Sequence, residues 1–216
     1  MSSILSSKWT KVLVFFLCLG PLGYLGWRAY HGRLTANPIE YITHYTGDYI
    51  LIFLVLTLSI TPARKLLGLP QLIRFRRMLG LFAFFYACLH FLTYIVLDQF
   101  FDFAAMVDDV AKRKYITVGF TGFVLLIPLA VTSSAGWIRR LGGRRWQQLH
   151  RLVYITAAAG VIHFYWLVKS DITRPVRYGA VVAFLLIFRL AVWLANRQAR
   201  PQTLRSPVKL TPTAGS

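Results

Sequence analysis

The feature that most constrains this chain is a series of apolar runs, each long enough to cross a bilayer as a helix. They fall at about 10–28, 46–62, 76–97, 115–133, 148–168 and 176–195. A segment in hydrocarbon must satisfy its own backbone N–H and C=O groups, which leaves helices or a closed barrel. No period-two alternation points to a barrel. The expected fold class is therefore an all-α membrane protein with six transmembrane helices. Charged residues make up only 15% of the chain, against roughly a quarter in a soluble domain. Pro21 is expected to bend the first span, Pro128 lies inside the fourth, and Pro62 is read as closing the second. Lys8 and Lys11 precede the first run, but no A-x-A-like cleavage site follows it, so it is read as a retained helix. The expected organisation is one transmembrane domain over 1–198. A basic Pro/Ser/Thr-rich tail over 199–216 is expected to be disordered.

The net charge of +18 would suggest nucleic acid for a soluble protein. Its placement argues otherwise. With six spans, 17 of the 25 Lys and Arg fall on the side that holds both termini. These include Arg64, Lys65, Arg74, Arg76, Arg77, Arg139, Arg140, Arg144 and Arg145. The other side holds eight, together with all seven acids. The positive-inside rule then places both termini in the cytoplasm. The partner implied by the charge is membrane lipid, and no nucleic acid is expected. Cys18 and Cys88 both lie in apolar runs, so neither a disulfide nor a thiolate metal cluster is expected.

Three of the five histidines sit where imidazole gains nothing from lipid. His90 lies in the third run, and His150 and His163 lie in "QQLHRLVYITAAAGVIHFYW". An ionisable residue within a span is a functional hypothesis in itself. Spans three and five run in the same direction, so His90 and His163 are expected at matching depth, able to clamp one metal. Two neutral nitrogen ligands fall short of the four that structural zinc takes, whereas haem iron needs only two axial ligands. The stripe Gly80, Ala83, Ala87, His90 and the run "TAAAG" before His163 suggest a slot for a flat macrocycle. Ordinary small-residue helix packing would give the same stripes. His150 is 13 residues from His163, roughly 20 Å along one helix at 1.5 Å per residue. That spacing suits a second cofactor, with Arg76 and Arg77 across from His150 as partners for haem propionates. His44 is read as a loop or capping histidine, Arg189 as a snorkelling arginine, and Trp137, Trp146, Trp166 and Trp193 as interfacial belt residues.

The stretch "FRRMLGLFAFFYACLHFLTYIVLDQ" followed by "RRWQQLHRLVYITAAAGVIHFYW" resembles the ferric-reductase/NADPH-oxidase transmembrane superfamily. Over about residues 10–198 the chain is similar to the haem-binding membrane subunits of bacterial periplasmic methionine sulfoxide reductase systems. The resemblance implies haem b, one or two per chain, held by His90, His150 and His163, in the bacterial inner membrane. It implies electrons taken from the quinone pool, with FMN also associated. They would pass to a periplasmic molybdopterin-containing reductase subunit that repairs oxidised methionines. The wider superfamily carries two histidines on each of the paired helices, and here Arg76 or Arg77 stands where the second would be on span three. No Gly-rich dinucleotide fingerprint follows the last span, so a relay subunit is expected rather than a self-contained hydride-accepting enzyme. The residues alone leave open a haem-free transporter that relays protons through its histidines, and a self-sufficient metal-ion reductase. The segments 29–45, 98–114 and 169–175 are expected to offer the docking surface.

Overall fold

A computed structural model describes residues 5–199. Among these residues all regular structure is helical. The helices are α1 (Lys8–Tyr30), α2 (Pro38–Leu66), α3 (Ile73–Thr93), α4 (Phe103–Lys112), α5 (Lys114–Val131), α6 (Ala135–Leu149), α7 (Leu152–Leu167) and α8 (Thr173–Ala199). A 3-10 turn (Pro70–Leu72) leads into α3, and a π-helical turn (Tyr94–Asp98) extends it. Among the described residues five segments are long and apolar enough to cross a membrane: Lys8–Tyr30, Pro38–Leu66, Pro70–Asp98, Lys114–Val131 and Thr173–Arg197. The sixth apolar helix, α7, has 16 residues, about 24 Å against a hydrocarbon core of about 30 Å. The expected tail over 199–216 lies almost wholly outside the described residues.

The second helix departs from its sequence reading at both ends. It starts at Pro38 rather than near Thr46, because Asn37 caps it by accepting from Glu40 N (3.3 Å) and Pro38 takes the first turn. It also runs through Pro62, which is buried inside it. Pro62 has no N–H, so the carbonyl of Leu58 one turn earlier loses its helical donor. Arg189 of α8 supplies the replacement, its Nη2 donating to Leu58 O at 2.7 Å. Its Nη1 donates to Tyr154 OH at 3.0 Å. Arg189 therefore does not snorkel; it crosses the bundle to cap a carbonyl orphaned by proline.

Pro21 is accommodated by comparable means. The Tyr86 hydroxyl inserts into the α1 ladder, accepting from Leu22 N (3.2 Å) and donating to Cys18 O (3.0 Å). Tyr45 OH donates to Pro21 O (2.9 Å). These tyrosines are the polar links that hold α1 to α2 and α3, while much of its remaining apolar surface faces outward. Such exposure is expected of a lipid-facing helix.

The bundle is organised around two closely packed pairs, α2 with α3 and α5 with α7, and α8 lies against α2 and α7. Leu54, Leu58, Ala83 and Tyr86 are fully or almost fully buried in the first pair. Gly122 and Ala159 let α5 and α7 approach, a Cβ built on Gly122 falling 3.6 Å from Ala159 Cβ. The stripe on α3 is thus largely packing: Gly80 and Ala83 serve the α2 contact, and only Ala87 and His90 reach the cavity described below.

Two segments read as loops are helical. Asp102 caps α4 by accepting from Ala105 N (2.9 Å), after Phe100 and Phe101 turn the chain with φ of +47° and +63°. The basic segment before His150 forms α6, capped by Ser134 and broken at Gly142 (φ +72°). His150 ends α6, and α7 starts only at Leu152. His150 and His163 therefore do not share one continuous helix, although α7 still separates them along the bundle.

Candidate cofactor-binding site

A cavity of about 270 Å³ lies between the two helix pairs. Its walls are Leu51 and Leu54 from α2, Ala87 and Phe91 from α3, Gly119, Gly122 and Phe123 from α5, and Thr156 and Gly160 from α7. His90 and His163 enter it from opposite pairs, with ring centroids 6.2 Å apart and planes at 88°. The sequence expectation of matched depth on separate helices agrees with this geometry. A metal between two imidazoles needs about 2 Å to each nitrogen and about 1 Å more to each ring centre. Those lengths sum to the spacing found.

Each imidazole is held at its far nitrogen by backbone. His90 Nδ1 lies 3.0 Å from Thr43 O on α2, and His163 Nδ1 lies 2.7 Å from Tyr115 O on α5. A carbonyl accepts only, so Nδ1 must carry the hydrogen in both rings. Thr46 Oγ1, 3.3 Å from His90 Nδ1, already donates to Ile42 O (2.8 Å) and adds a further acceptor. Both rings are thereby fixed with Nε2 unprotonated and available as a ligand. Metal-binding histidines are held in this manner by carbonyls or carboxylates outside the coordination shell. Among the described residues no group of three or more His, Cys, Asp or Glu converges on a metal position. The donor set therefore suits a metal whose remaining ligands come from a planar macrocycle.

At the acidic end the cavity is bordered by His44, Asp48, Asp98 and Arg113. Asp48 pairs with Arg174 at the start of α8. Arg113 pairs with Asp109 (3.0 Å), whose other oxygen accepts from Tyr94 OH (3.2 Å) and Gln99 Nε2 (3.0 Å). His44 is a helical residue of α2, not a loop residue, and reaches Glu40 only at 3.9 Å.

The basic end is arranged differently. His150 does not line the cavity. Its Nε2 lies 3.1 Å from Thr132 Oγ1, and that hydroxyl donates to Pro128 O at 2.6 Å. With its one hydrogen committed, the hydroxyl can only accept, so Nε2 of His150 is protonated. Trp146 stacks on the ring at 3.9 Å between centroids and donates Nε1 to Thr132 O (2.8 Å). Trp146 is thus a partner of His150 rather than a lipid anchor. Arg77 Nη1 donates to Ser133 O (3.2 Å), and Arg76 is half-buried nearby. The structure brings His90 and His163 together and leaves His150, Arg76 and Arg77 as a separate group.

Sequence reasoning missed Thr43, Gly47, Tyr115 and Gly119. Thr43 and Tyr115 act through main-chain oxygen, which every residue carries, so composition gives no sign of them.

Residues 45–161 match the family described as ferric reductase like transmembrane component. A protein of Herminiimonas arsenicoxydans named protein-methionine-sulfoxide reductase heme-binding subunit MsrQ is 52% identical over 90% of this chain and 89% of its own length. Proteins of the same name from Rhodospirillum rubrum and Caulobacter vibrioides are 50% and 49% identical. The former alignment covers 88% of this chain and 91% of the relative, the latter 87% and 88%. The chain therefore belongs to the ferric reductase-like transmembrane family and, within it, to the MsrQ group.

Proposed function

We propose that this protein is a haem-binding electron-transfer subunit of a methionine sulfoxide reductase system, with haem b held between His90 and His163. The observation that carries the reading is the pair of imidazole rings, 6.2 Å apart between centroids, that line one largely apolar cavity. The relatives at 49–52% identity bear the name of heme-binding subunits, which supports it independently. When bound there, the iron would accept and return single electrons. The chain's own residues do the rest. His90 and His163 would hold the iron, and the group would supply one-electron transfer rather than dioxygen binding. Thr43 and Tyr115 carbonyls fix the tautomers, and the Leu, Ala, Gly and Phe walls keep water from the ligands.

We assign six membrane crossings, with both termini cytoplasmic and the acidic end of the bundle facing the periplasm. Under this orientation the His90/His163 pair lies toward the periplasmic face, where Asp48, Asp98 and Arg113 border the cavity. The acceptor there is a molybdopterin-containing reductase subunit. Electrons enter from the quinone pool, directly or through FMN, at the cytoplasmic face. His150 with Arg76 and Arg77 marks that face, but it does not fit a second haem as it stands, since Thr132 and Trp146 occupy its ring. One haem per chain is the content this conformation supports.

The visible spectrum of the purified protein tests the assignment. The wild type is expected to show a low-spin Soret band that shifts on dithionite reduction. His90→Ala and His163→Ala should each lose most of it. A protein with no Soret band, or one indifferent to both substitutions, sinks the haem reading and restores the proton-relay alternative.

A further inference from the structure

The two candidate ligands are held by the same local device, built twice. His90 packs against Gly47 and reaches Thr43 O; His163 packs against Gly119 and reaches Tyr115 O. In each case the carbonyl belongs to the residue four positions before the glycine. In each case the glycine lies on one helix of a packed pair and the histidine on the other. Side chains in a helix tilt toward its N-terminus, so a residue's own side chain covers the turn one step earlier. A glycine leaves that turn bare. The exposed carbonyl oxygen has a second lone pair beyond the one used in its helix, and a neighbouring imidazole can reach it.

We propose that Gly47 and Gly119 are positioning residues, each opening the carbonyl one turn earlier so that a ligand histidine is locked as its Nδ1–H tautomer with Nε2 in the cavity. This proposal rests on the haem reading for its consequence but not for its geometry. The two notches differ in tightness. A Cβ on Gly119 would stand 2.6 Å from His163 Nδ1, 2.9 Å from Cε1 and 3.1 Å from Cγ, so the ring must move. A Cβ on Gly47 would stand 3.4 Å from His90 Cε1 and 3.5 Å from Nδ1, which is ordinary contact. Gly119 is therefore the indispensable one. Gly80 of α3 serves as a control: it packs on α2 outside the cavity, and its Cβ would meet only Thr57, at 3.7 Å.

The test uses full-length protein labelled with ¹⁵N-histidine, compared with and without haem, in wild type, Gly119→Ala, Gly47→Ala and Gly80→Ala. Haem-free wild type should show His90 and His163, assigned by His90→Ala and His163→Ala, as fixed Nδ1–H tautomers, beside exposed His31, whose Nδ1 also meets a carbonyl, Trp27 O, at 2.9 Å. Gly119→Ala should lose one of them and weaken haem retention about 10–100-fold, the range typical of losing a partner behind a metal ligand. Its reduction potential should rise, because an imidazole that no longer donates a hydrogen bond gives less electron density to ferric iron. Gly80→Ala should stay within about twofold of wild type, by the same scale, and Gly47→Ala, at the looser notch, should fall between it and Gly119→Ala. The proposal is overturned if both histidines are Nε2–H in the wild type, or if Gly119→Ala keeps both tautomers and its haem. It is likewise overturned if Gly80→Ala is as damaging as Gly119→Ala, since loss of helix packing would then suffice. A wild type that shows both tautomers but binds no haem would sink the functional reading and leave the notch standing.

Discussion

Arg189 shows how a single residue misleads when its partner lies far away in sequence. Read alone, an arginine in the last apolar run is a snorkelling anchor, and Pro62 ends a helix. The fold joins the two across a separation of 131 residues between Arg189 and Leu58, and each explains the other. Proline deletes one donor; the guanidinium replaces it and also holds Tyr154 OH. Arg189→Met should therefore lower stability by about 1–3 kcal/mol, the cost of leaving a buried polar group without its partner. Pro62→Ala restores an N–H to Leu58 O, so Arg189→Met should cost less in that background. Their coupling is expected at about 0.5–3 kcal/mol, measured by unfolding the four proteins of the cycle in mixed micelles. Strict additivity would show that the two residues act independently.

At the scale of elements, the apolar runs located the helices well and their ends poorly. The runs near 10–28, 76–97 and 115–133 correspond to α1, α3 and α5 within a few residues. Hydropathy reports where lipid or core must be met, but ends are set by caps such as Asn37 and Asp102, and by partners such as Arg189. Hydropathy alone makes 148–168 one helix, which is the error at His150. The chain in fact turns at His150 and Arg151, where Arg151 N donates to Gln148 O (3.1 Å) and Tyr154 N to Arg151 O (3.0 Å). His90 and His163 escaped that error because each is inside an unbroken helix. The consequence is a division of labour that can be measured. His150→Ala should keep the haem of the His90/His163 site, with an unchanged haem-to-protein ratio and Soret maximum. Loss of half the haem in this variant would show that His150 ligates a second one.

Across the whole molecule, charge is sorted by end. Among the described residues every ion pair lies at the acidic end: Lys112–Asp108, Arg113–Asp109, Arg174–Asp48, and the long His44–Glu40 contact. Arg74 and Arg77 of the opposite end use backbone carbonyls instead. Arg74 donates to Leu5 O (2.9 Å) and Ser7 O (3.1 Å), and Arg77 to Ser133 O. Their positive charge thus stays uncompensated by carboxylates, as suits a surface facing anionic headgroups. The sequence carries the same sorting along its length, since the acids and the main basic clusters fall in different connecting segments. Under the proposed function, the side on which each end lies decides where electrons would enter and leave, so orientation is the property on which that proposal hangs. A cysteine placed at Ser170, in the exposed segment between α7 and α8, should react with a membrane-impermeant thiol reagent added to spheroplasts. One placed at Gly143, exposed in the basic helix α6, should react only after the membrane is opened. Cys18 is buried, and both native cysteines lie within membrane helices, so the background labelling should be low. Labelling at Gly143 in intact spheroplasts, with Ser170 protected, would invert the molecule. It would turn the His90/His163 site toward the cytoplasm and remove the periplasmic acceptor from reach.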